Sequence, residues 1–221
     1  MNNTVLSKSY AFLPFCEKEI LRYAGCKDTD SETAALLAEC IKEAEGKLTY
    51  KVCYREFPIK SDGDICDFGA FYLKSKNLAA NLKSCENVII FAATIGVEID
   101  RLIAKYGRIS PAKALMFQSI GAERIEALCD AFCEDIKNER NVGLNPRFSP
   151  GYGDLPLEAQ KNIFAVLEPA RRIGLTLSDS LMMSPSKSVT AFVGLSSDKE
   201  KNRENKCSTC NKNDCGFRGV L

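Results

Sequence analysis

Two stretches of this chain combine residue types that can do chemistry. The first is Arg147-Phe148-Ser149-Pro150-Gly151-Tyr152-Gly153-Asp154. Arginine offers a planar fork to a carboxylate or phosphate, and a proline with two glycines fixes a turn whose amides can come close to a ligand. Tyrosine adds a flat π-face for a cation. On spacing alone, an ordinary surface turn with a solvated arginine explains the block better than a site does. The second stretch, Cys207-Ser208-Thr209-Cys210-Asn211-Lys212-Asn213-Asp214-Cys215, places three thiols in nine residues. Thiolates at such spacings chelate zinc or an iron-sulfur cluster. Asp214, a cysteine from the body, a second chain or nothing would complete the set, and a reactive tail without metal is the competing reading.

Composition narrows what these residues can do. The chain has 221 residues, a formal net charge of +1, eleven cysteines and no histidine. A Ser-His-Asp triad, a Cys-His pair and histidine-ligated zinc are therefore excluded. Near-neutral charge argues against a nucleic-acid partner, since a duplex binder needs a basic surface to displace counterions. No apolar run suits a signal peptide or a membrane span, so a cytoplasmic protein without membrane contact is expected. Eight cysteines (Cys16, Cys26, Cys40, Cys53, Cys66, Cys85, Cys129 and Cys133) lie among apolar residues and are expected to pack as reduced thiols.

The elements that must position these residues read as a mixture of helices and strands. Helical spacing covers Glu17 to Cys26 and Ser31 to Glu45, the second capped by Asp30 or Ser31 and closed at Gly46. Leu48 to Ile59 alternates as a half-buried strand with its second face polar, and Asp62-Gly63-Asp64 is a turn. A helix is expected from Leu73 to Cys85. The apolar run Asn87 to Ala93 predicts a strand buried on both faces, and a helix follows Gly96 as far as Tyr106. The longest helix starts at Ser110-Pro111 and reaches about Glu139, with Phe117, Gly121, Ile125, Leu128, Phe132 and Ile136 as its apolar stripe. Helical counting puts Glu123 and Glu134 far from that stripe and Glu126 at its border.

Asn141 to Pro156 reads as a long loop. Leu157 to Ile173 reads as one helix, and extended pieces span Leu175 to Met182 and Ser188 to Leu195. From Ser196 to Asp214 the only apolar residues are cysteines, so a body of 1–195 and a polar tail of 196–221 are expected.

The block Arg147 to Tyr152 fits an Arg-x-x-Pro-Gly-Tyr pattern, followed by Gly174-Leu175-Thr176-Leu177-Ser178-Asp179-Ser180-Leu181-Met182-Met183-Ser184-Pro185-Ser186-Lys187-Ser188-Val189. Together these motifs resemble the reactivation domain of cobalamin-dependent methionine synthase, most clearly from Ala112 to Leu195. The resemblance implies an α+β fold with a curved, mainly antiparallel sheet and covering helices. It also implies an S-adenosylmethionine site formed by Arg147, the backbone of Ser149, Gly151 and Tyr152, with Glu126 contributed by the preceding long helix. Arg147 would hold the methionine carboxylate, Glu126 the ammonium or ribose hydroxyls, and Tyr152 would line the path of the methyl group as the residue nearest catalysis.

The implied activity is reductive reactivation of a corrinoid methyltransferase, most naturally methionine synthase. The cobalamin would be held by that partner, because no Asp-x-His-x-x-Gly motif can exist in a chain without histidine. One electron from flavodoxin or ferredoxin and a methyl from S-adenosylmethionine would restore the partner. Methyl transfer of this kind needs positioning rather than a proton shuttle. Counterparts of the family's N-terminal aspartate contact and of a tyrosine beyond the last strand are not found. A docking adaptor for a corrinoid protein, without catalysis, is therefore the second reading, and a metal-tail interaction protein the third.

Overall fold

A computed structural model describes residues 4–26 and 29–196. Its first element precedes the first expected helix: Leu6–Tyr10 forms an edge strand, β1. Helix α1 (Glu17–Tyr23) follows, and α2 (Ser31–Ala44) starts where Asp30 accepts a hydrogen bond from the Thr33 amide at 2.7 Å. Strand β2 spans Tyr50–Pro58. Then come three short strands, β3 (Lys60–Asp62), β4 (Ile65–Asp67) and β5 (Tyr72–Lys74), which form a small sheet of their own.

Leu73 thus belongs to a strand and not to the expected helix. That helix, α3, is only Lys76–Asn81, because Ser75 caps it by accepting from the Leu78 amide at 3.0 Å. Strand β6 (Asn87–Thr94) is followed by α4 (Glu98–Gly107) and by the thirty-residue α5 (Pro111–Arg140), with Ser110 at its N-cap and Asn141 left-handed at its end.

The remaining elements are divided more finely than expected. Within the long loop, Gly143–Leu144 pairs as β7. The single helix expected over Leu157 to Ile173 is two, α6 (Ala159–Leu167) and α7 (Pro169–Ile173). The break falls at Glu168, whose φ of 49° is left-handed, directly before a proline that disfavours helical geometry in its predecessor. Leu175 to Met182 is likewise not one extended piece. Thr176–Leu177 (β8) and Met183–Ser184 (β9) form a small ladder, and Ser188–Ser196 is the last strand among the described residues, β10.

The main sheet runs β1-β2-β6-β10-β7, antiparallel throughout and curled. Both of its faces are buried. Along β6, Ile89, Phe91 and Ala93 enter the core beneath α5, while Val88, Ile90 and Ala92 enter a second core with Leu78, Ile163, Leu167 and Ile173 of α3, α6 and α7. The alternation that makes this possible is the period of two along any strand. It also corrects the expectation for β2: its second face is not polar, since Cys53 and Phe57 are buried in that second core.

Helix α5 is wrapped on more than its apolar stripe. The stripe is buried as expected, but so are Glu123 and Arg124, with Arg124 fully inaccessible. The Arg124 guanidinium donates to the Leu13 and Pro14 carbonyls at 2.6 Å each, pairs with Glu123 and lies over the Phe15 ring at 4.4 Å. Glu123 in turn accepts from the Cys16 amide at 3.3 Å. The chain entering α1 therefore crosses a face of α5 that hydropathy alone assigns to solvent.

Among the described residues, Cys40, Cys53, Cys66 and Cys129 are buried, whereas Cys16 is exposed and does not pack. Burial pushes the Cys40 thiol up to about 11 and the Cys53 thiol up to about 12, so both are inert at neutral pH. No described helix is long and apolar enough to cross a membrane.

Candidate functional site

The loop between α5 and α6 is tied down at both ends. Phe148 and Phe192 of β10 exchange backbone hydrogen bonds at 3.0 and 2.8 Å, which docks the loop against the main sheet. The Gly151 amide donates to the Leu155 carbonyl at 2.9 Å, the Tyr152 amide to Ser149 at 3.1 Å and the Leu155 amide to Tyr152 at 3.0 Å. Gly151 has φ of 89°, a conformation that costs glycine little and other residues a good deal. The turn therefore needs Gly151, independent of any ligand.

Asp154 anchors the far side of this turn. Its carboxylate accepts from the Ser75 hydroxyl, from the Lys76 amide at 2.7 Å and from the Asn77 amide at 3.1 Å, so it sits on the exposed amides that open α3. The Ser75 hydroxyl and these amides hold the Asp154 carboxyl below the usual carboxylate range. A depressed carboxyl contributes stability above its unfolded pKa, near 4, and that contribution disappears as pH falls through the folded value. Asp154→Asn is therefore expected to flatten the acid limb of the stability curve below roughly pH 4. Denaturant midpoints of both proteins between roughly pH 2 and 6 check this; parallel curves would contradict it.

Gly153, with φ of 55°, packs so closely that an added Cβ would lie 2.2 Å from the side-chain nitrogen Nδ2 of Asn77. Gly153→Ala is expected to cost about 1–3 kcal/mol through strain and displacement of Asn77. Thermal melting should show Asn77→Ala recovering the steric part. A Gly153→Ala protein as stable as wild type would refute the contact.

Arg147 leaves the turn on the side facing α5. Its guanidinium donates to Glu126 at 2.7 Å and to Asp130 at 2.5 Å. Glu126 and Asp130 are one helical turn apart and share a face. Burial works against the charge of Arg147, but Cys129, Asp130 and Glu126 more than offset it and raise its pKa above the ordinary arginine value. The fork is thus permanently charged, half-sheltered and aimed along the border of α5. Cys129 and Cys133 lie beneath it, their thiols pushed up by burial.

The structure brings Arg147 and Glu126 together, 21 residues apart in sequence. Ser149 and Gly151 form the floor of the same turn, and Tyr152 stands at its rim, 59% exposed, with its ring edge-on to Phe148 at 6.3 Å. Asp130 belongs to this constellation although neither its residue type nor the family resemblance marks it. Its spacing of four from Glu126 was the available signal. Tyr23 at the end of α1 also approaches, since the Glu126 charge helps to raise its pKa beyond the larger effect of burial. Cys207, Cys210 and Cys215 lie outside the described residues, and among the described ones no cluster of cysteines and carboxylates is arranged to hold a metal ion.

The Arg147 fork thus stands over a glycine turn at the edge of a curled antiparallel sheet with helices on both faces, an α+β architecture. Residues 78–215, more than half of the chain, match the model of the vitamin B12 dependent methionine synthase activation domain, and the chain belongs to that family. It is 36% identical over 103 residues to the methionine synthase of Mycobacterium tuberculosis (strain ATCC 25618 / H37Rv), a match covering 45% of this chain and 8% of that protein. Its fold is similar to the crystal structure of the MetH reactivation domain bound to AdoHcy, with a TM-score of 0.64 at 16% identity, covering 88% of this chain and 79% of the other. The chain therefore spans only a small part of the methionine synthase it matches.

Proposed function

We propose that this chain binds S-adenosylmethionine at the Arg147 turn and presents its methyl group to cobalamin held by a partner, so restoring an inactivated methionine synthase. The observation that carries the reading is the Arg147–Glu126 pair, which sets a guanidinium and a carboxylate side by side above a glycine turn inside the family-matched region. The solved relative's bound AdoHcy supports the ligand class. An amino-acid zwitterion presents the complementary charges, its carboxylate to Arg147 and its ammonium to Glu126. Gly151 leaves room for the ligand's approach to the backbone at Ser149, and the Tyr152 ring borders the methyl path.

The chemistry supplied by the partner's cobalamin is that of a cobalt nucleophile; flavodoxin or ferredoxin is the proposed source of its electron. This chain's own residues bind and orient. Arg147 and Glu126 fix the amino-acid end so that the sulfonium methyl faces outward, and Tyr152 shields it from water. No proton moves in such a transfer, which suits a chain without histidine. For the tail thiols Cys207, Cys210 and Cys215 we propose a zinc or iron-sulfur site, tested by iron, sulfide and zinc analysis of anaerobically purified protein.

Isothermal titration of S-adenosylmethionine into the full chain tests the binding site. A saturable one-to-one isotherm is expected. Its absence, with retained binding to a cobalamin module, selects the adaptor reading instead, which is favoured by the occupation of both edges of the Arg147 fork by protein carboxylates.

A further inference from the structure

Charge around Arg147 does not balance. Glu126 and Asp130 both bond the one guanidinium. On α1, Arg22 lies over the Tyr23 ring at 4.3 Å and is bound by Glu19 at 2.9 and 2.7 Å, so that pair adds nothing net. Tyr23, Cys129 and Cys133 are all shifted upward, chiefly by burial, and are neutral near pH 7. One positive and two negative groups leave the site with a net negative charge. Asp130 is the surplus: its side chain is 72% exposed, and it bonds only the edge of Arg147 opposite Glu126.

We infer that Asp130 makes this site selective for the sulfonium form of its ligand over the demethylated thioether. The inference rests on the reading that Arg147 and Glu126 hold the amino-acid end of S-adenosylmethionine. That molecule carries an ammonium, a sulfonium and a carboxylate, and so a net positive charge; S-adenosylhomocysteine lacks the sulfonium and is neutral overall. A site of opposite net charge prefers the first, and its hold on the ligand weakens once the methyl has left. Asp130 also competes with the ligand carboxylate for Arg147. That competition is the same for both ligands and cancels in the ratio of their dissociation constants.

The size of the preference follows from Coulomb's law. Two opposite unit charges roughly 8 Å apart, at an effective dielectric constant of roughly 45–60 between those of a protein surface and of water, account for a factor of about three to five. Screening by salt should shrink it, because Asp130 is exposed.

The test is titration of S-adenosylmethionine and S-adenosylhomocysteine into wild type, Asp130→Asn and Asp130→Glu at low salt. The ratio of the thioether Kd to the sulfonium Kd is expected to fall about three- to fivefold in Asp130→Asn and to be kept in Asp130→Glu. A ratio unchanged by Asp130→Asn, with both ligands binding, overturns this inference and leaves the binding site intact. Failure of both ligands to bind wild type overturns the site and the inference together.

Discussion

Arg147→Ala is expected to weaken S-adenosylmethionine binding by about 30- to 5,000-fold. The reasoning is that a half-buried guanidinium paired with a ligand carboxylate makes charge-assisted hydrogen bonds, and truncating one partner of such a pair costs about 2–5 kcal/mol. The side chain is only 24% exposed, so solvent cannot replace it well. Its protein partners are more open, at 43% for Glu126 and 72% for Asp130, and exposed pairs contribute little to folding. The variant should therefore melt within a few degrees of wild type while losing its ligand. Arg147→Lys should fall between the two, because an ammonium keeps the charge but not the planar fork. Titration calorimetry with a melting curve on the same samples checks this, and equal binding by wild type and Arg147→Ala would remove Arg147 from the site.

The largest effect on stability is expected at Arg124→Ala. Removing one member of a buried ion pair leaves the other uncompensated and costs about 3–5 kcal/mol. Here Glu123 would be left buried, and the Leu13 and Pro14 carbonyls would lose their donor. For a domain of this size the melting temperature should drop by roughly 6–20 °C. Removing both charges, Glu123→Gln with Arg124→Met, should recover part of that loss, since the pair repays its own desolvation poorly. A fall of only a degree or two in the single variant would mean that the N-terminal segment is held by other contacts.

Arg124 also shows where the sequence stops being informative. Counting from the apolar stripe of α5 locates one buried face, and Phe117, Leu128, Phe132 and Ile136 all obey it. A second face, covered by residues 13–16, carries a charged pair that no hydropathy pattern marks as interior. Strand β1 escaped for a related reason: Leu6–Tyr10 is a mostly polar edge strand whose pairing with β2 supplies the signal that its side chains lack. The second apolar face of β2 is legible in Cys53 and Phe57 but outweighed by Lys51 and Arg55 on the same face. The break at Glu168 could have been read from Pro169, since a proline restricts the residue before it.

For the site, the Arg147 turn and the border position of Glu126 were both visible, one in residue types and the other in helical geometry. Their meeting at 2.7 Å depends on how the loop returns along α5, fixed by the Phe148–Phe192 hydrogen bonds to β10. Those are backbone contacts between distant segments, and sequence carries no direct trace of them. By residue type and position alone, Asp130 is indistinguishable from a solvated flank of a helix. Only the position of Arg147 gives it a role.

The central claim is that this chain delivers a methyl group to a corrin it does not itself hold. Its most direct test is a single-turnover assay with methyl-labelled S-adenosylmethionine, the cobalamin-binding module of methionine synthase and a one-electron reductant under anaerobic conditions. Label is expected on the corrin only when the chain is present, and transfer should be lost with Arg147→Ala. Label transferred at the same rate with and without the chain, or with wild type and Arg147→Ala alike, would contradict the account.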